Sequence, residues 1–151
     1  MSLTYITLPN GVMSITEGII VHQVNCLNRI GAGVSGPICK KYPEAEKQYH
    51  AICEDKGAKG VFGLAQIVPV TDKLTIVNLF SQFSFGNPMK TGKRYTDYDA
   101  LTNGLRTICE RYPNQTVYIP YNIGCGFGGG DWSTVTSLIE DLSITIVKMP
   151  L

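Results

Sequence analysis

The sequence has 151 residues, of which 44% are hydrophobic and 17% are charged, and its net charge at pH 7 is +1. This length and composition indicate a single globular domain spanning residues 1–151, and the balanced charge excludes a broadly basic protein that binds nucleic acid. No apolar run approaches the roughly 20 residues of a membrane span, and the N-terminus has no export-signal pattern, so we expect a cytoplasmic protein without membrane contact.

Periods of two and of 3.6 residues in the hydrophobic pattern divide the chain into strands and helices. In chain order, we predict strands at 3–8 and 19–24, helices at 33–41 and 43–55, strands at 64–70 and 74–80, a helix from 98 to 109, a strand at 116–120, a helix over 135–142 and a strand at 143–148. The run at 19–24 is almost wholly apolar, which is typical of a central strand that is covered on both faces.

Residues with restricted backbones set several boundaries. The first helix ends before Pro43, because the residue before a proline avoids the helical conformation, and the second helix ends at Gly57. Residues 71–73 are predicted to join their flanking strands in a hairpin, 83–94 to form an exposed loop, and Thr96 to open a capping box. This order of elements predicts an α/β fold, a three-layer α/β/α sandwich with a central mixed sheet.

Glycine-rich turns follow two of the predicted strands. Residues 29–36 (RIGAGVSG) follow the strand that ends near Asn25, and residues 124–130 (GCGFGGG) follow the strand that ends near Tyr121. Glycine lets successive N–H groups turn toward one point, and ligands of open α/β sheets bind beyond the carboxyl ends of strands. The two loops therefore suit a diphosphate, although flexible turns would also explain either loop alone.

Five side chains near these loops are candidates for binding or catalysis. His22 can pass a proton near neutral pH, or it can be a core histidine with satisfied hydrogen bonds. Asp131 can orient a water or cap the following helix, and Asn25 can hold a ligand hydroxyl or tie down its own turn. Arg29 can pair with a terminal phosphate or remain solvated. Phe127 lies among glycines that offer nothing to pack against, so we expect its ring to cover a ligand.

The five cysteines are an odd number and form no CxxC pair. This pattern favours reduced, mostly buried thiols over a disulfide framework or a zinc site. Cys26 and Cys125 flank the glycine loops, but no base is evident that would activate their thiols, so we expect them to pack. The sequence indicates neither a metal nor a cofactor.

Taken together, these motifs resemble those of the macro domain family, which binds ADP-ribose. The resemblance is greatest to small macro-domain enzymes that dephosphorylate ADP-ribose 1″-phosphate, and it spans nearly the whole chain. The matching segments are 22–26 (HQVNC), 31–33 (GAG), 42–47 (YPEAEK), 83–86 (FSFG) and 124–132 (GCGFGGGDW).

The resemblance implies that ADP-ribose or its 1″-phosphate binds with its diphosphate between 31–34 and 124–128. It places the distal ribose near Asn25 and Phe127, and the adenine near Asn10. The catalytic residues that it implies are His22, Asn25 and Asp131. The substrate-binding residues that it implies are Asn10, Arg29, Gly31, Ala32, Gly33, Val34, Gly124, Cys125, Gly126, Phe127 and Gly128.

The implied activity is that of a phosphoric monoester hydrolase that converts ADP-ribose 1″-phosphate to ADP-ribose. Two alternatives remain open: a reader that binds ADP-ribose without chemistry, and a hydrolase of ADP-ribose esters, whose partner would be O-acetyl-ADP-ribose or an ADP-ribosylated protein. Macro domains that remove ADP-ribose from glutamate use a lysine and an aspartate where this chain has Gln82 and Gly128. This difference argues against that chemistry here.

Overall fold

Six strands form one mixed sheet at the centre of the computed structural model, which describes residues 2–151. In chain order, the strands are β1 (Leu3–Thr7), β2 (Gly18–Asn25), β3 (Ala65–Pro69), β4 (Leu74–Gln82), β5 (Val117–Pro120) and β6 (Ile144–Lys148). Their order across the sheet is β1-β6-β5-β2-β4-β3. β3 runs antiparallel to β4, and the other neighbouring strands run parallel. The predicted mixed sheet and its hairpin are confirmed.

Helices cover both faces of this sheet. They are α1 (Ser35–Lys41), α2 (Pro43–Val61), α3 (Pro88–Thr91), α4 (Tyr98–Arg111) and α5 (Trp132–Ile139), and a 3-10 turn at Gly11–Ser14 precedes β2. Ile19 and Val21 of β2 pack with α4 and α5, whereas Ile20 and Val24 pack on the side of α1 and α2. The predicted α/β/α sandwich is therefore confirmed. No helix within residues 2–151 combines the length and the apolar character needed to cross a bilayer.

Several local boundaries differ from the sequence prediction. The helix predicted over 135–142 spans Trp132–Ile139, one turn earlier in the chain. The helical path breaks at Gly57, which has a φ of 72°, but it then resumes and continues to Val61. The segment predicted as an exposed loop contains α3, because the Asn87 side chain accepts a hydrogen bond from Met89 N at 3.0 Å and Pro88 fits the first helical position.

The cap of α4 also differs from the prediction. Asp97, and not Thr96, is the N-cap residue, and its carboxylate accepts a hydrogen bond from Ala100 N at 2.9 Å. The Thr96 hydroxyl donates instead to the Gly124 carbonyl, at 2.6 Å. A tertiary contact has taken this side chain away from the local role that its position suggested.

The cysteines are free thiols, and Cys26, Cys39 and Cys53 are buried. Burial raises the pKa of the Cys26 thiol to about 12 and the pKa of the Cys125 thiol to about 11. Both thiols are therefore protonated near neutral pH, and neither is an activated nucleophile.

Candidate functional site

A cavity of about 530 Å³ opens beyond the carboxyl ends of the neighbouring strands β5, β2 and β4. Two loops form its walls: loop A, residues 29–34, follows β2, and loop B, residues 121–128, follows β5. Gln82 at the end of β4 and Phe85 complete the lining on the far side. The parallel arrangement of β5 and β2 brings the two glycine loops, which are distant in sequence, to one edge of the sheet. The volume is that of a site for a small ligand.

Both loops that line the cavity carry main-chain N–H groups without a partner among the described residues. Within the part of the chain that the structure describes, the main-chain N–H groups of residues 31–34 in loop A and of residues 126–128 in loop B make no hydrogen bond. Gly31 and Gly33 have φ values of 126° and 59°, which side-chain-bearing residues rarely adopt. Unpaired backbone donors are costly unless water or a ligand satisfies them, and such a cluster suits an anion.

The charge of the lining points the same way. Arg29 is the single charged residue among the cavity-lining residues of the part of the chain that the structure describes. Its guanidinium lies 5.9 Å from the centroid of the Phe85 ring, so a cation stands at the mouth of the cavity. With a cation and unpaired donors, and without a carboxylate among these residues, the cavity favours a negatively charged ligand.

Loop B is held in place by the segment before α4. The Gly124 carbonyl accepts hydrogen bonds from Thr96 Oγ1 at 2.6 Å and from Gly130 N at 2.9 Å. The Gly128 carbonyl accepts from Tyr95 N at 2.7 Å and from Thr96 N at 2.9 Å. Sequence reasoning missed this role of Thr96, because its spacing from the following helix signals only a cap.

His22 does not reach the cavity, contrary to the expectation from the sequence. The ring is fully buried, with Nδ1 at 2.9 Å from Ser35 Oγ and Nε2 at 2.6 Å from Asn78 Oδ1. The Asn78 amide nitrogen donates to the Ala45 carbonyl and to Gln66, so its oxygen must face His22 and accept from Nε2–H. His22 Nδ1 is then the acceptor for the Ser35 hydroxyl.

Burial also keeps His22 neutral. It lowers the pKa of the ring to about 4, while the hydrogen bond to Asn78 acts in the opposite direction and is the smaller effect. Ser35 lies between this ring and the ligand space, because it lines the cavity. Sequence reasoning missed Ser35, although its place at the junction of the glycine loop and α1 was a signal that could have been used.

Asn25 lines the cavity, but its amide is engaged in holding loop A. Its Oδ1 accepts hydrogen bonds from Leu27 N at 2.9 Å and from the Tyr49 hydroxyl at 3.1 Å. Its Nδ2 donates to the Arg29 carbonyl at 2.6 Å. Of the two roles considered from the sequence, this geometry shows the one that ties down the turn.

Besides His22, three residues implied by the resemblance lie outside the cavity. Asp131 is the N-cap of α5, where Ser133 Oγ and Thr134 N donate to its carboxylate and hold the pKa of that group below its ordinary value. Asn10 is exposed beside the 3-10 turn, and its N–H donates to Ser14 Oγ at 3.0 Å. The Cys125 side chain packs against the core beneath loop B. None of these three side chains lines the cavity, so the structure does not bring them together with the glycine loops as the resemblance implies.

The structure brings the remaining binding residues implied by the resemblance together around one cavity. Arg29, Gly31, Ala32, Gly33, Val34, Gly124, Gly126, Phe127 and Gly128 line the one cavity. Gln23 and Gln82 also line it, and the sequence did not single them out as binding residues. Glutamine at the end of an apolar strand carries no specific signal of a site.

One part of the sequence is similar to a known protein. No protein-family model matches the chain. Over 70 residues, the chain is 34% identical to an ADP-ribose 1″-phosphate phosphatase of Saccharomyces cerevisiae (strain YJM789). This match covers 45% of the present chain and 38% of the length of that relative.

Solved structures share the whole architecture. A macrodomain protein from Streptomyces coelicolor superposes with a TM-score of 0.75 at 23% identity, and 99% of each chain is covered. DarTG of Thermosipho africanus, solved in complex with ADP-ribose, superposes with a TM-score of 0.68 at 19% identity, over 89% of this chain and 38% of that one. The chain therefore has the macrodomain fold.

Proposed function

We propose that this protein binds ADP-ribose between loops A and B and hydrolyses the 1″-phosphate of ADP-ribose 1″-phosphate. The observation that carries the proposal is the cluster of unpartnered N–H groups at 31–34 and 126–128 around one cavity. A diphosphate offers enough acceptor oxygens to satisfy donors on both loops at once. The ADP-ribose complex of the Thermosipho protein and the activity of the yeast relative support the choice of ligand.

The ligand would lie across the edge of the sheet. Its diphosphate would occupy the space between the two loops, and its distal ribose would lie near Asn25 and Phe127. The Phe127 ring is 61% exposed at the cavity, so it is free to cover a bound ribose. Arg29 stands at the mouth of the cavity, where it can pair with the terminal phosphate.

Ser35 is the side chain through which His22 would act. Because neutral His22 accepts the Ser35 hydrogen, the lone pairs of the Ser35 oxygen are left to accept a hydrogen bond from a water in the cavity. Such a water would attack phosphorus: a new P–O bond forms to the water oxygen as the P–O bond to the C1″ oxygen breaks, and a proton of the water passes to that departing oxygen. Phosphoryl transfer depends chiefly on positioning and charge stabilisation, which a fixed hydroxyl, Arg29 and the loop amides would supply.

A reader of ADP-ribose that does no chemistry is the second candidate. It is favoured by one observation: no carboxylate or histidine is among the described residues that line the cavity, so no strong base faces the ligand. Binding requires only the loop donors, and these are present.

Two measurements separate the candidates. The wild-type protein and the Ser35→Ala and Asp131→Asn variants are incubated with ADP-ribose 1″-phosphate, inorganic phosphate is measured, and ADP-ribose binding is followed by calorimetry. We expect Ser35→Ala to bind ADP-ribose but to lose most of the phosphate release. Asp131→Asn should keep it, because asparagine caps a helix as well as aspartate does.

Each other outcome has a definite meaning. Wild-type protein that binds ADP-ribose and releases no phosphate would be a reader. Wild-type protein that does not bind ADP-ribose would exclude both candidates. If Asp131→Asn loses phosphate release, the Asp131 carboxylate has the catalytic role that the resemblance implied.

A further inference from the structure

A continuous set of hydrogen bonds joins loop B to the ends of β2 and β4. Thr96 Oγ1 donates to the Gly124 carbonyl at 2.6 Å, and Gln23 Nε2 donates to Thr96 Oγ1 at 2.8 Å. Gln23 Nε2 also donates to Gln82 Oε1 at 3.0 Å, and Gln23 Oε1 accepts from Ser81 Oγ at 2.7 Å. We call these four side chains, Gln23, Ser81, Gln82 and Thr96, the amide network.

The Gly124 carbonyl fixes the direction of every bond in the amide network. A carbonyl can only accept, so the single hydrogen of the Thr96 hydroxyl points at it. Thr96 Oγ1 must therefore accept from Gln23, which means that the NH₂ group of Gln23 faces it. The second hydrogen of this NH₂ group needs an acceptor, and the Gln82 oxygen supplies it. The orientation of both amides thus follows from one main-chain atom.

The Gln82 side-chain oxygen accepts a hydrogen bond within the amide network, so only the side-chain nitrogen of Gln82 is available to a ligand in the cavity. Gln82 is 9% exposed and lines the cavity, and no group within residues 2–151 makes a hydrogen bond to its Nε2. Among the same residues, no fully buried side-chain nitrogen or oxygen lacks a partner. The Gln82 NH₂ group is therefore open to the ligand space, and it can only donate there.

The strand register places this donor beside Asn25. Gln82 is the residue of β4 that pairs with Asn25 of β2. In the arrangement proposed above, Asn25 marks the end of the cavity that takes the distal ribose. Gln82 thus lies toward the reacting end of the ligand, away from the adenine.

We infer that Gln82 determines specificity by donating a hydrogen bond from Nε2 to an acceptor oxygen at the distal ribose end of ADP-ribose. This inference rests on the proposed function and adds a substrate preference to it. The site selects a ligand that carries a hydroxyl, phosphate or carbonyl oxygen at this point. It disfavours a ligand that presents an ammonium or amide N–H there, because the amide network leaves no acceptor to meet it.

The experiment compares two ligands and four proteins by calorimetry. The ligands are ADP-ribose and ADP, which lacks the distal ribose. The proteins are the wild type, Gln82→Met, Gln82→Glu and, as a matched control, Gln115→Met. Gln115 is exposed and lies just before β5, at the opposite end of the sheet from the cavity. Thermal melts of each variant report whether the fold is intact.

We expect Gln82→Met to weaken ADP-ribose binding by about 3- to 10-fold, the usual effect of one neutral hydrogen bond, and to weaken ADP binding clearly less. Gln82→Glu keeps an acceptor for Gln23 but presents an oxygen to the cavity, so it should weaken ADP-ribose binding at least as much. Gln115→Met should bind both ligands as the wild type does.

The inference is overturned if Gln82→Met weakens both ligands equally or neither, or if Gln82→Glu keeps wild-type affinity for ADP-ribose. Wild-type protein that binds ADP but shows no gain for ADP-ribose would also overturn it, while leaving a diphosphate site in place. Wild-type protein that binds neither ligand would remove the proposed function itself, and the inference with it.

Discussion

His22 is enclosed by protein on all sides, and its partners are a serine hydroxyl and an amide oxygen, neither of which carries a full charge. Protonation would place an unpaired charge in the interior, so burial lowers the pKa of the ring from its ordinary 6.5 to about 4. The neutral ring is therefore a structural acceptor that fixes the Ser35 hydroxyl. Its protonation should destabilise the fold.

The pH dependence of stability follows from this shift. As the pH falls from 6.5 toward 4, the unfolded chain takes up a proton at His22 before the folded protein does, so this contribution to stability is present above pH 6.5 and is lost across that interval. The loss is on the order of 3 kcal/mol. Urea unfolding between pH 7 and pH 4 should show a shallower decline for His22→Gln than for the wild type. Parallel declines would contradict the shifted pKa.

For single residues, the sequence predicted which segments lie at the cavity better than it predicted the hydrogen-bond partners of each side chain. Both glycine loops and Phe127 line the cavity as expected. The roles of His22 and Asp131 could not be decided beforehand, since each residue type at each position fits two environments. A strand buried on both faces, such as β2, gives no sign in its sequence of which side chains reach a ligand and which face a helix.

The conformation of loop B requires a residue without a Cβ atom at one of its glycine positions. A Cβ added to Gly128 would collide with Thr96 Oγ1 and would lie 2.6 Å from the Gly124 carbonyl oxygen. A Cβ added to Gly126 would meet no atom within 4 Å. The two glycines stand two residues apart in the same loop, so they form a matched pair for substitution.

We expect Gly128→Ala to lower the free energy of unfolding by about 1–3 kcal/mol, because the loop must move away from Thr96 to admit the methyl group. Gly126→Ala should change it by no more than about 0.5 kcal/mol. Urea unfolding of both variants tests this pair. Equal effects would mean that loop B is not fixed against the segment before α4.

Helices and strands were predictable because each carries a periodic pattern, and their order was sufficient to predict the sandwich. The residues at which helices and strands begin and end were less predictable. Asp97 caps α4 because the Thr96 hydroxyl is engaged by Gly124, a contact between residues 28 positions apart. Propensity describes only local competition for backbone groups, so such an exchange of roles cannot be read from the sequence around Thr96.

The whole molecule brings the two loops together through its sheet. Loops A and B contact one ligand space only when β5 and β2 are paired, so a ligand that bridges them binds the folded chain and not the unfolded one. Binding should therefore raise the stability of the entire domain that we propose for residues 1–151.

A ligand at 100 times its Kd adds about 2.7 kcal/mol of stability, which for a chain of this size corresponds to a rise in Tm of about 5–10 °C. Thermal melts with ADP-ribose should show this rise. Adenosine, which has no diphosphate, should give a much smaller shift at the same concentration. An equal shift with adenosine would contradict binding through the loop amides.

Loops A and B would hold a ligand through main-chain N–H groups, and this affects how far the sequences of such proteins can diverge. Every amino acid except proline brings the same N–H group, so mutation can rewrite most of the chain without touching the groups that grip the ligand. The feature that must be kept is the absence of a Cβ atom at the few loop positions where only glycine fits. As related sequences diverge, the binding motifs should become unrecognisable well before the shape of the cavity changes. Comparison of structures should then detect relatives that comparison of sequences no longer detects.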